Sequence, residues 1–320
     1  MKRFIIAAAA LLFAISTVCS AEEPVLKPNS THRFAQRDTC DLYLDIYNPA
    51  EGSQTHFEGI RKPTIIYIFG GGFRNGDKRD KYLDPFYKRI VNEGYTLVAI
   101  NYRLGLKDPG KVGMNDKFIK KMDNAIGVAV EDLFSATNWL IENGRKYGID
   151  PDRLVVAGGS AGAITALQAE WEICNGAQRA QLLPGDFNYA GVVSYAGAIF
   201  SKEGDVKFAK EPCPILMFHG VEDKIVKYDR IWMFKIRLEG SNQIARTLQR
   251  EGYNYRIYRY LDRGHEIAIS SLNNFDILQN FIENNVMLGT SYLVDATVYD
   301  PTLPTPDWSR IDVSKLYDEE

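Results

Sequence analysis

Apolar runs that alternate with helical patterns constrain the fold of this chain more than any other feature. Thr64–Phe69 and Thr96–Asn101 are almost continuously apolar, which is typical of strands buried on both faces of a parallel sheet. Further strands are predicted at Asp41–Tyr47, Leu154–Ala157, Gly191–Tyr195, Ile215–His219 and Tyr255–Tyr260. Helical spacing predicts helices over 83–93, 123–144, 161–174, 241–251 (capped by Ser241) and 273–284. The alternation predicts an α/β fold, with a central, mostly parallel sheet flanked by helices on both faces.

The 320 residues divide into four predicted segments. Residues 1–21 are expected to be a signal peptide, because Lys2 and Arg3 precede an apolar run too short to span a membrane. Residues 22–39 form an N-terminal extension, and residues 40–285 form one catalytic domain. Residues 286–320 lose the periodicity and read as a tail that is packed on the domain or partly disordered. The expected location is secreted or periplasmic, with lipid attachment at Cys19 as the alternative.

Composition excludes several classes of function. The formal net charge is −3, and no basic face of the kind that binds nucleic acid is evident. Once the predicted signal peptide is removed, the cysteines are Cys40, Cys174 and Cys213. Three cysteines allow at most one disulfide, and the sequence does not show which pair would form it. Neither cysteine nor histidine spacing matches a metal site. We therefore expect no metal, no cofactor and no integral membrane segment after cleavage, and the oligomeric state stays open.

The sharpest motif is Gly158-Gly159-Ser160-Ala161-Gly162, a G-x-S-x-G sequence between a predicted strand and a predicted helix. A serine on such a turn projects out of the sheet as a nucleophile, and glycines flank it because side chains there would collide with neighbouring backbone. The same turn aims the Ala161 N–H at a developing oxyanion. A second motif, Gly70-Gly71-Gly72, ends another predicted strand, and its bare backbone N–H groups suit an oxyanion hole.

A general base and an acid follow the nucleophile in the order that this motif requires. His265 follows the Tyr255–Tyr260 strand, and Asp223 follows the Ile215–His219 strand. Both positions are at strand carboxyl ends, where α/β sheets assemble their sites. Glu222 competes for the acid role, and we favour Asp223. His219 is predicted to be structural, and His32 and His56 to be surface residues.

These motifs resemble an α/β-hydrolase esterase of the carboxylesterase group over about residues 40–285. The resemblance is carried by five segments, Asp41–Pro49, Tyr67–Gly76, Ile100–Leu104, Tyr147–Gly162 and Phe218–Val226. It implies a triad of Ser160, Asp223 and His265, with Gly71, Gly72 and Ala161 as oxyanion donors. One position departs: Phe69 stands where relatives of the hormone-sensitive-lipase type carry histidine, and aromatics occur there in the cholinesterase-like branch.

The resemblance to exported bacterial acetyl-xylan and feruloyl esterases implies short or aromatic acyl esters, either small molecules or side chains of polysaccharides. No large cap domain is expected, because the segments around the motif are short. Asn175–Asn188 could line a pocket without covering it, and the basic stretch Leu106–Met122 is either a solvated loop or the rim of the site. The alternatives are a lipase or peptidase of the same superfamily and a non-catalytic binding or adhesion protein on the same fold.

Overall fold

A computed structural model describes residues 25–38, 40–107 and 116–301, with the side chains of 116–118 left out. The predicted signal peptide, residues 108–115 of the basic stretch and the end of the tail therefore lie outside the described part. The strands of the main sheet are β1 (Ser30–Gln36), β2 (Asp41–Tyr47), β5 (Thr64–Ile68), β6 (Thr96–Ile100), β7 (Leu154–Gly159), β8 (Gly191–Tyr195), β10 (Ile215–Gly220), β13 (Tyr255–Tyr260) and β14 (Val294–Val298). The smaller strands are β3 (His56–Phe57), β4 (Ile60–Arg61), β9 (Ala198–Ser201), β11 (Arg230–Met233) and β12 (Ile236–Gly240).

Among the residues that the structure describes, the main sheet has nine strands in the order β1-β2-β6-β5-β7-β8-β10-β13-β14. All pairs from β6 to β14 are parallel, whereas β2 is antiparallel to both β1 and β6. Every residue of β5, β6, β7, β8 and β10 is buried, so both faces of the sheet are covered, as the continuous apolar runs predict. The predicted fold class is confirmed.

In the described ranges, five α-helices flank the sheet: α1 (Asp84–Asn92), α2 (Asp116–Asn143), α3 (Ala161–Cys174), α4 (Ser241–Glu251) and α5 (Phe275–Phe281). The α1 and α5 helices meet through Phe86 and Phe275, whose ring centroids are 6.2 Å apart. The α2 and α3 helices pack together, and a π-helical turn over Ile282–Met287 follows α5. The helix predicted to end at residue 284 is therefore divided into two kinds of turn.

Three differences from the sequence predictions concern the boundaries of elements. The α2 helix begins at Asp116 rather than 123, because Ile119 and Met122 continue its apolar face onto the core despite the neighbouring lysines. The N-cap of α4 is Gly240 rather than Ser241, because the Ser241 hydroxyl is hydrogen-bonded to His219, 2.8 Å away. Strands β1 and β14 lie in the predicted extension and tail, so the sheet is wider than residues 40–285.

The largest difference is a three-stranded antiparallel sheet of order β11-β12-β9, which the sequence analysis missed. Its strands have four or five residues and mixed polarity. The β11–β12 turn contains no glycine; instead, Phe234 has a φ of 53°. The usual sequence signals of a hairpin are therefore absent. The small sheet packs beside α3, the helix that begins immediately after Ser160.

Candidate active site

Ser160 lies on a sharp turn between β7 and α3. Its backbone has φ 53° and ψ −119°, a region that side-chain-bearing residues rarely adopt. A Cβ atom added to Gly162 would lie 2.1 Å from the Ile68 carbonyl oxygen, and one added to Gly159 would lie 2.1 Å from that of Ala268. The steric reason that the sequence analysis gave for these glycines is therefore confirmed, because neighbouring backbone occupies the space that a side chain would need.

The order of the strands brings the triple-glycine loop beside Ser160. Strand β5 pairs directly with β7, with Ile68 opposite Gly158. The chain therefore leaves both strands at the same edge of the sheet. Gly71, Gly72 and Ala161, the three predicted oxyanion donors, all line the cavity that Ser160 lines. Their backbone N–H groups are donors that need no side chain to approach a substrate.

Asp223 and His265 leave the sheet from two other neighbouring strands, β10 and β13. His265 Nε2 is 2.8 Å from Ser160 Oγ, and His265 Nδ1 is 2.8 Å from Asp223 Oδ2. Because an ionised carboxylate only accepts, the Nδ1 proton is donated to Asp223, and in the neutral ring Nε2 is left to accept the serine proton. The structure thus joins the three residues predicted as a triad into one hydrogen-bonded chain.

The surroundings of Asp223 favour its charged form. Burial alone would raise the pKa of this carboxyl, but hydrogen bonds from His219 and His265 outweigh burial and hold the pKa well below its ordinary value. The backbone N–H groups of Ile225 and Val226 also donate to Asp223 Oδ1, at 2.8 and 2.9 Å. The carboxylate is therefore ionised at neutral pH and fixed in orientation.

The other residues considered for the site have different environments. Glu222 is exposed, whereas the neighbouring Asp223 is buried and bonded to His265. His219 is fully buried, and its Nδ1 lies 2.8 Å from the Ser241 hydroxyl. Its Nε2 lies 2.9 Å from the Val226 carbonyl and 3.3 Å from Asp223 Oδ2, so this structural histidine also supports the acid. His56 is exposed, as predicted. His32, in β1, is only partly exposed, and its ring stacks on Trp139.

Tyr102 is a residue of the site region to which the sequence analysis assigned no role. Its buried hydroxyl lies 3.0 Å from the Phe69 carbonyl oxygen and 3.1 Å from that of Gly70, and its ring stacks on Phe69. In a planar trans peptide the C=O and N–H point in opposite directions. Holding the Gly70 carbonyl toward Tyr102 therefore turns the Gly71 N–H away from Tyr102. Tyr102 belongs to Ile100–Leu104, one of the segments that carry the family resemblance. Its partners are more than thirty residues away in sequence, so no local pattern indicated its role.

The Ser160 cavity has a volume of about 310 Å³, near the lower end for small-molecule sites. Its side walls are mostly apolar and come from Tyr82, Met122, Ile164, Leu238 and Ile269. Met122 belongs to the stretch considered as a possible rim. The predicted lining segment Asn175–Asn188 contributes no residue to the cavity; it forms a 3₁₀ turn over Gln178–Leu182 instead. Leu238 of β12 forms part of the cavity wall, and the sequence analysis did not predict it because it missed the small sheet.

Within the described ranges, no group of three or more histidine, cysteine or acidic side chains could hold a metal ion. Over the same residues, no helix is both long and apolar enough to cross a membrane.

Cys174 and Cys213 are buried beside Glu170, whose carboxylate accepts from the Cys174 thiol and the Cys213 N–H.

Comparison with known proteins finds esterases. The BD-FAE family model matches residues 44–173. Fumonisin B1 esterase from Sphingopyxis macrogoltabida is 32% identical over 126 residues, which cover 38% of this chain and 21% of that protein. Esterase LipI from Mycobacterium tuberculosis is 33% identical over 104 residues, 32% of this chain and 27% of that protein. The chain therefore matches only about a quarter of the length of these relatives.

Solved structures extend the likeness of the fold over most of the chain. Apo esterase 2 from Thermogutta terrifontis superimposes with a TM-score of 0.57 at 19% identity, covering 84% of this chain and 98% of that one. The shared fold, the strand-turn-helix at Ser160 and the esterase relatives agree with one another. The chain therefore has the fold of these esterases and is similar to esterases in sequence over part of its length.

Proposed function

We propose that this chain is a serine hydrolase that cleaves carboxylic esters through an acyl-enzyme. The observation that carries the proposal is the continuous hydrogen-bonded chain from Ser160 through His265 to Asp223, with both distances at 2.8 Å. The glycine loop and the N-terminus of α3 line the same cavity. A protein that only binds ligands on this fold does not need a serine held against an oriented histidine.

The proposed reaction has two halves. Ser160 Oγ attacks the ester carbonyl carbon while His265 Nε2 takes the hydroxyl proton, and the carbonyl oxygen becomes an oxyanion facing the Gly71, Gly72 and Ala161 N–H groups. The C–O bond to the alcohol then breaks, and His265 returns the proton to the departing alkoxide. Water repeats the sequence on the acyl-serine, with His265 as base, and releases the acid.

Solved structures with a similar fold support this proposal. Thermogutta terrifontis esterase 2 has been solved phosphonylated by sarin and, separately, with propionate and butyrate bound. By analogy, we propose that short acyl groups fit the Ser160 cavity here. Esters of short or aromatic acids on a large alcohol, such as polysaccharide side chains, are the proposed substrates, and export to the periplasm or the medium is the proposed location.

A fluorophosphonate probe tests the nucleophile directly. The wild-type chain should be labelled at Ser160, and Ser160→Ala should lose both the label and ester turnover, with kcat falling about 10⁴–10⁶-fold. Ser270→Ala is the matched control, because the Ser270 hydroxyl lies near His265 in sequence but bonds the Ile267 carbonyl. If the Ser160→Ala variant were still labelled and active, the proposal would be wrong.

A series of p-nitrophenyl esters tests the acyl group. A cavity of about 310 Å³ should accept acetate to butyrate, and a longer chain should leave its end in water, losing about 0.8 kcal/mol for each CH₂ that is not buried. We expect the rate to have fallen once the acyl chain reaches about eight carbons. We also expect acetate or ferulate to be released from decorated hemicellulose. A rate that climbs steadily with chain length, with interfacial activation, would instead indicate a lipase.

A further inference from the structure

The β11–β12 hairpin carries an apolar face that continues from the Ser160 cavity to the protein surface. Leu238 lines the cavity, and its partner across the two strands is Ile231. Directly opposed residues of an antiparallel pair lie on the same face, as do residues two apart along a strand. Met233 and Ile236, which also oppose each other, therefore share this side. We call these four residues the hairpin face.

Ile231, on the edge strand β11, is the most exposed residue of the hairpin face. Leu238 and Ile236 are half-buried and pack against the core, whereas Ile231 on the edge strand is 38% exposed. Opposed Cα atoms in such a pair are about 5 Å apart, so the face extends the cavity wall by about the width of one ring. The opposite side of the same hairpin is different in character, because there Trp232 opposes Arg237.

We propose that the hairpin face binds an apolar or aromatic ring in the alcohol half of the ester, an inference that rests on the proposed function. Continuity with the cavity identifies the occupant as a part of the substrate. The short acyl group proposed above ends within the Ser160 cavity, whereas the alcohol must depart after Ser160 attacks. The part of the substrate that is long enough to reach from the cavity past Leu238 to Ile231 is therefore the alcohol half.

Phenyl acetate and 4-biphenylyl acetate test this inference. The two esters share the acyl group and have similar leaving groups, and they differ by one ring on the alcohol. The wild type should favour the biphenylyl ester. In Ile231→Ser, the ratio of the two kcat/KM values should fall about fivefold, as expected when one apolar contact of this size is lost. Ile231→Val should restore most of the ratio.

Trp232→Ser is the matched control, since Trp232 is the next residue on the same strand, is 67% exposed and points to the other side. Its ratio should equal that of the wild type. An equal fall in Trp232→Ser and Ile231→Ser would overturn the inference, as would a change confined to p-nitrophenyl 4-phenylbenzoate, where the added ring is on the acyl side. A dimer that Ile231→Ser converts to monomer, with the ratio unchanged, would also overturn it.

The same experiment separates this inference from the proposed function. If wild-type protein fails to hydrolyse phenyl acetate, the proposed ester hydrolysis is wrong, and this inference is wrong with it. If both esters are hydrolysed in a Ser160-dependent manner and the ratio does not change in Ile231→Ser, only the role of the hairpin face is wrong.

Discussion

The turn at Ser160 and the β11–β12 hairpin contribute to the same cavity in opposite ways. At the turn, neighbouring backbone leaves no space for a side chain on Gly159 or Gly162. At the hairpin, Phe234 is 91% exposed and Ile231 is partly exposed. The reacting groups are therefore held by contacts that permit almost no variation, whereas the outer wall is free to vary. We therefore expect substitutions at the turn to affect the chemistry and substitutions at the hairpin to affect substrate preference.

After loss of the nucleophile, the largest effect is expected at the acid that orients His265. Asp223→Asn should reduce kcat about 10⁴-fold, because an amide in place of the carboxylate favours the wrong tautomer of the histidine. Glu222→Gln, one residue away and exposed, should leave kcat close to that of the wild type. Steady-state kinetics on p-nitrophenyl acetate measure both. A damaging Glu222→Gln with a mild Asp223→Asn would assign the acid to Glu222.

Asp223 should also make the stability of the fold depend on pH. Its pKa in the folded protein lies below the ordinary value of 3.8, so the carboxylate stabilises the folded state fully above about pH 4. This contribution is lost as the pH falls below that value toward the folded pKa. Urea denaturation of the wild type and Asp223→Asn should show a difference in unfolding free energy that narrows below about pH 4. A difference that widens with acid would contradict this sign.

The next effect concerns stability at the Ser160 turn. Gly162→Ala should lower the unfolding free energy by about 1–3 kcal/mol or more, because the new methyl group must displace the Ile68 carbonyl. Gly185→Ala is the matched control, since a Cβ atom there would meet nothing within 4 Å. Urea denaturation measures both variants. Equal stability of the two would show that the turn has more room than the structure indicates.

A smaller effect on activity is expected at Tyr102. Removing its hydroxyl in Tyr102→Phe frees the Phe69 and Gly70 carbonyls, so the Gly71 N–H should be less well aligned for the oxyanion. We expect kcat to fall about tenfold with little change in KM, less than the 10²–10³-fold loss that follows removal of a direct oxyanion donor. Tyr189→Phe is the control, because its buried hydroxyl bonds Thr137. Tyr189 lies just before β8, at the amino end of that strand, whereas the site residues follow the carboxyl ends of their strands. An unchanged kcat in Tyr102→Phe would leave Tyr102 with a packing role only.

The smallest effect is expected at the tip of the hairpin. Phe234→Ser should change the unfolding free energy by no more than about 0.5 kcal/mol, as is usual for exposed positions. Phe73→Ser, in which a buried ring is lost, should be strongly destabilising. Thermal denaturation compares the two. A large loss in Phe234→Ser would mean that the hairpin contributes to the core more than its exposure indicates.

The sequence predicted the parts of the molecule whose signals are local. The buried strands are visible as apolar runs, and the Ser160 turn as glycines around a serine, so the fold class and the groups that meet at the strand ends could be inferred. The choice between Glu222 and Asp223 depended on which of two adjacent side chains points inward, and only the structure places Asp223 beside His265. Tyr102 and the small sheet act through partners distant in sequence, so no local pattern identifies them.

Ser160 itself has a consequence for the evolution of the chain. Its backbone conformation is one that costs about 1–3 kcal/mol for a residue with a side chain and nothing unusual for glycine. Ser160→Gly should therefore fold more stably than Ser160→Ala, although neither has a nucleophile. Selection for stability alone would replace this serine. The proposed reactivity of Ser160, rather than stability, therefore explains why a serine stands at this position.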